Sequence, residues 1–155
     1  MRSQGRWFAA ALVTAGLALA GCTTDTSSGA SAGGATAGNG PAKVESIAGK
    51  EVKKITLTEQ AAKRLDIQTT VVAAAGTSMT VVPYAAVLYD PDGGTWVYTN
   101  PAPLTYVREK VVVAKIGGTD GSQAFLSQGP PVGTRVVVTG AIELYGAELG
   151  VGGEE

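Results

Sequence analysis

From Ile55 to Thr139 the chain alternates short runs rich in valine, threonine and aromatic residues with clusters of glycine, proline, aspartate and asparagine. Beta-branched and aromatic side chains suit a pleated, half-buried surface, and the punctuating residues suit tight turns. Short strands at regular spacing predict a mainly-β fold, a small barrel or sandwich, with little room for helix. Ile55-Thr56-Leu57 reads as a strand, and Thr58 as the N-cap of a short helix over Glu59 to Leu65. Ala61, Ala62 and Leu65 fall on one face of that helix by their spacing. Strands follow over Ile67 to Ala75, Thr80 to Val82, Ala85 to Tyr89 and Thr95 to Thr99. Asp90-Pro91-Asp92-Gly93-Gly94 joins the last two as a hairpin turn, with Trp96 and Tyr98 on one side and Val97 on the other. Asn100 to Pro103 reads as a break, Thr105 to Ile116 as one long extended segment, and Gln123 to Ser127 and Arg135 to Thr139 as further strands. Ala141 to Leu149 reads as a terminal turn or loose helix.

The N-terminus carries a second pattern. Arg2 and Arg6 precede an apolar run from Trp7 to Ala20, followed by Gly21 and Cys22. Positive charge ahead of a short apolar segment is the layout of an export signal, here residues 1–21. At about 1.5 Å per residue the run falls short of the roughly 20 residues needed to cross a bilayer core. Leu19, Ala20, Gly21 and Cys22 resemble the bacterial lipobox. That resemblance implies diacylglycerol on Cys22 and cleavage before it, giving a protein anchored to the cell membrane and facing its extracytoplasmic side. Two acyl chains anchor stably where one does so only marginally.

Residues 22–50 read as a flexible linker. From Thr23 to Pro41 they are almost wholly Thr, Ser, Gly and Ala, too small and polar to offset the entropy of ordering. Such a coil has an r.m.s. reach of about 25 Å. Ala42 to Lys54, with its mixed charge, reads as a solvated lead-in. Residues 51–150 then form one domain of roughly 100 residues, large enough for a single modest core.

Composition narrows the chemistry. The chain has 12 basic and 13 acidic residues, and losing residues 1–21 removes two arginines, so no basic excess remains for nucleic acid. It has no histidine, the commonest general base near neutral pH, and its one cysteine sits at the lipidation position. Asp90 and Asp92 lack the companion ligands of a calcium loop, and Met79 stands alone as a soft ligand in the mature chain. The reading is therefore of a non-catalytic protein with neither metal nor cofactor. The residues with most potential for touching a partner or ligand are Trp96, Tyr98, Tyr106 and Arg108, although core packing is the stronger account of the aromatic ones.

Several phrases of the chain resemble periplasmic adaptor subunits (membrane fusion proteins) of efflux transporters. Val82-Pro83-Tyr84-Ala85-Ala86-Val87, then Gly94-Thr95-Trp96-Val97-Tyr98, looks like the family's proline, alanine-valine and aromatic-valine passage. Tyr106 to Val113 resembles the next strand, and Leu126 to Ala141 resembles the valine-rich close between two glycines. Thr58 to Thr69 looks like the entry into the family's β-barrel domain. The resemblance implies a membrane-proximal β portion that docks to an efflux or ABC-type transporter. The chain departs from full adaptors in lacking the lipoyl-like domain and the helical hairpin. A ligand- or cell-wall-binding lipoprotein is the rival expectation.

Overall fold

The computed structural model describes residues 40–151. The export signal, the lipobox, Cys22 and most of the linker lie outside them. The first strand, β1 (Ala42–Ser46), pairs antiparallel with β2 (Lys53–Leu57), joining Val44 to Ile55 and Ser46 to Lys53. The linker therefore gives way to sheet at Ala42, inside the segment expected to be flexible. The reason is that Val44 finds a place against the core under the helices, which its polar neighbours did not announce.

The helix α1 (Glu59–Arg64) begins as its sequence predicts. Thr58 is extended, and its hydroxyl accepts from the Ala61 amide at 3.1 Å. Ala61 is buried, with Ala62 and Leu65 packed beside it. Next come β3 (Gln68–Val71), β4 (Ala73–Ala75), β5 (Met79–Pro83), a 3-10 turn at Tyr84–Ala86, and β6 (Leu88–Tyr89). Beyond the aspartate turn are β7 (Thr95–Ala102), β8 (Thr105–Lys110), β9 (Val112–Gly117), β10 (Gln123–Gln128) and β11 (Arg135–Thr139). The chain then forms α2 (Ala141–Leu149), an ordered helix where the sequence promised at most a loose one. The expectation of one short helix is thus corrected to two among the described residues.

Those strands make two antiparallel sheets, neither closed into a barrel. The larger runs β1-β2-β8-β7-β11-β3, with β6 also on β7, and the smaller runs β4-β5-β10-β9. Twice the chain passes from the larger to the smaller without a glycine or proline. Val72 separates β3 from β4, and Val111 separates β8 from β9; both are fully buried. Each is fastened by backbone bonds, Val72 to Thr134 and Gly133, and Val111 to Thr95. The expected single segment from Thr105 to Ile116 is therefore two strands in two sheets, turned at a corner where one chain serves both layers. Conversely, β7 runs straight through Asn100 and Pro101, where a break was expected. It does so by a register irregularity between Thr99 and Ala102 that spares proline a ladder bond.

Because β7 and β11 are buried on both faces, they feed two cores. Tyr98 and Val137 point into a core with Ile55, Leu57, Tyr106, Ala61 and Leu144, covered by α1 and α2. Val97 and Val136 point the other way, onto Val72, Val82, Val111, Ala124 and Leu126, between the two sheets. The layers are helix, sheet and sheet. Gly140 (φ +87°) turns the chain from β11 into α2, and a Cβ there would collide with Ile67.

Candidate functional site

Trp96 and Tyr98 come from β7, and Tyr106 and Arg108 from β8. The ladder sets Tyr98 opposite Arg108, and alternation puts all four on the helix-covered side of the larger sheet. The structure thus brings the four predicted residues into one region, but mostly underneath the surface. Tyr98 is 0% and Tyr106 4% exposed, so an aromatic platform open to a sugar or a partner does not form from them.

Their shared partner is Glu148, at the end of α2 and itself 2% exposed. Tyr98 donates its hydroxyl to Glu148 Oε2 at 2.5 Å, and Arg108 Nη2 donates to Oε1 at 3.2 Å. The backbone amide of Lys53 also donates to Oε1, and Lys53 Nζ reaches the Glu148 carbonyl oxygen at 3.0 Å. Arg108 Nε lies 3.2 Å from Oε2, close enough for ion pairing, though too bent for a hydrogen bond. The guanidinium lies 4.4 Å from the Trp96 ring centre and 5.0 Å from that of Tyr145, a cation between two aromatic faces. Trp96 in turn donates its indole N–H to Asp90 Oδ2 at 2.7 Å.

The electrostatics follow from burial and bonding. Burial, reinforced by the hydrogen bond to Glu148, pushes the Tyr98 phenol far above its usual range, and burial alone raises Tyr106. The Trp96 hydrogen bond, with the Gly94 and Asp92 amides, holds Asp90 below the usual carboxylate range. Asp90 is fully used in its turn, since its other oxygen accepts from Asp92 and Gly94. A Cβ on Gly94 would come within 2.5 Å of Asp90 Oδ2 and 2.8 Å of Trp96 Nε1, so this corner needs glycine. Among the described residues no cluster of three or more His, Cys, Asp or Glu could hold a metal ion.

Glu148 is not among the candidate contact residues read from the sequence, where Glu143, Leu144 and Glu148 stand out only for resembling the acidic, leucine-containing end of the adaptor family. A signal for a site nevertheless existed. Ala141, Leu144 and Glu148 share one helical face, and they are the buried residues of α2. A carboxylate on an otherwise apolar face must find a cation or donors. The cluster is a latch, joining α2 to β2, β7 and β8.

The accessible features lie elsewhere. Tyr84 and Tyr89 are 40% and 52% exposed, in edge-to-face contact with ring centres 6.4 Å apart. Beside Tyr89 opens a groove of about 600 Å³ between the aspartate turn and β9, with Lys110 and Lys115 among its walls. Comparisons with protein-family models, curated proteins and solved structures gave no match to this chain.

Proposed function

We propose that this chain is a lipid-anchored, non-catalytic envelope protein that docks to a partner on the extracytoplasmic side of a bacterial membrane. By the adaptor resemblance that partner is an efflux or ABC-type transporter. One observation carries the reading: the phrases from Val82 to Gly140 that resemble the adaptor family fall in order along β5, β7, β8, β9, β10 and β11, and all of these strands but β8 contribute side chains to the core between the sheets. The open groove beside β9 supports it as accessible surface on the same body. The rival reading, a small ligand or glycan held by Trp96, Tyr98 and Tyr106, draws no support from two rings that are sealed in the core.

Two measurements test the proposal. Cys22→Ala should shift the protein from the membrane fraction to the soluble one; unchanged fractionation removes the anchor. Affinity capture from crosslinked membranes should recover a transporter permease or ATPase. Repeated capture without any transporter component removes the docking partner.

A further inference from the structure

The strand β9 ends the smaller sheet, and among the described residues its outer side pairs with no other strand. The groove is walled by Val112, Val113, Lys115 and Ile116 of β9 and by Tyr89 with the turn segment 92–95, while β10 contributes no lining residue. It therefore lies on the side of β9 away from β10, along the unpaired edge. Its volume of about 600 Å³ suits a bound segment, since ligand clefts run from about 300 to 1,000 Å³. Val112 and Ile116, each 43% exposed, offer apolar contact towards the two ends of the strand. Lys110 and Lys115 stand along the groove, and neither is ion-paired among the described residues. Asp92 is the one acidic residue in the lining.

We propose that this edge is a docking strip for an extended acidic polypeptide segment, which adds to the smaller sheet as a fifth strand. Unpaired backbone groups on an edge recognise another extended backbone, and flanking side chains select its sequence. The lysines select carboxylates. They also disfavour a second copy of this chain, which would bring a second pair of lysines to the same edge. An anionic lipid surface would satisfy the lysines but leave the strand's backbone groups without partners.

The inference rests on the docking reading and names the chemistry of the docked segment. Its test uses the full chain labelled for amide NMR and two acetylated octapeptides, one alternating valine with glutamate and one valine with lysine. The glutamate peptide should shift the amides of Val112–Gly117 and slow their exchange. The lysine peptide should bind at least about tenfold more weakly, as expected for two favourable charge pairs replaced by repulsion. Lys110→Glu with Lys115→Glu should invert that preference, and Ile116→Asp, at an exposed position, should weaken both peptides. Equal binding of the two peptides, shifts away from β9, or a preference that survives the double reversal overturns the proposal. So do phosphatidylglycerol vesicles that shift β9 when neither peptide does. Transporter capture that persists in the double reversal leaves docking standing and removes this strip from it. Peptide binding without any captured transporter does the opposite.

Discussion

The two cores of this protein solve the same problem with different materials. Between the sheets, valine, alanine and leucine fill the space without any charged group. Under the helices, Tyr98 and Tyr106 join Ile55, Leu57, Leu88 and Leu144, and the Tyr98 phenol borders a polar seam closed by Arg108 and Glu148. The difference comes from the covering element. A second sheet presents a regular pleat that aliphatic side chains can interlock with, whereas α2 meets the larger sheet through one short buried face. Glu148 extends that grip by bonding to three strands at once. An aliphatic core tolerates loss of a methyl group by partial relaxation, but a buried ion pair fails abruptly when one partner goes.

The largest effect should therefore come from Glu148→Ala, which leaves Arg108 buried without its counter-ion at a cost of about 3–5 kcal/mol. Urea unfolding measures it, and hydrogen exchange should show α2 losing protection while β5 and β10 keep theirs. Restoring apolar contact with Arg108→Met and Glu148→Leu together should recover most of that stability; a double variant as weak as the single one would mean that the pair contributes more than mutual neutralisation. Next comes Leu126→Ala in the core between the sheets, expected to cost about 2–5 kcal/mol. Its exchange pattern should be the reverse, with the smaller sheet loosening and α2 retained.

Tyr98→Phe removes one donor from the Glu148 carboxylate and should cost about 1–3 kcal/mol. The same phenol gives an alkaline signature. Its folded pKa is raised, so its contribution is complete below the unfolded value of about 10 and is lost as pH rises towards the folded one. The difference in 295 nm absorbance between the native protein and Tyr98→Phe isolates this phenol and should appear only as the protein unfolds; a difference at lower pH would mean that the latch is open in solution. The smallest effect lies at the acid end. Asp90, lowered chiefly by the Trp96 hydrogen bond, and Glu45, lowered chiefly by Lys54 and then Lys43, contribute stability above their unfolded values near pH 4. That contribution is lost as pH falls through their lower folded values. Asp90→Asn should flatten acid unfolding slightly, whereas substitutions within the aliphatic core should leave its pH dependence unchanged.

Local rules made part of this legible in the residues. Thr58 caps α1 because its hydroxyl needs only the amide three residues on, and the aspartate turn forms because Asp90, Gly93 and Gly94 carry their geometry within five residues. The alternation of Trp96, Val97 and Tyr98 fixed which side chains part company, though not that both sides are buried. The candidate site was half legible. Tyr98 and Arg108 were identified separately, but their common partner lies 50 and 40 residues further along the chain, and no local pattern joins them.

By itself, then, the sequence determined the strand-rich class, the first helix and the hairpin turn. These depend on steric preference and hydrogen bonds between near neighbours. Only the tertiary structure decided that Val72 and Val111 are corners, that Ala42–Ser46 joins a sheet, and that Glu148 is buried against Arg108. A valine run is equally extended in either sheet, and an edge strand or a buried carboxylate exists only once distant partners have satisfied its backbone or its charge.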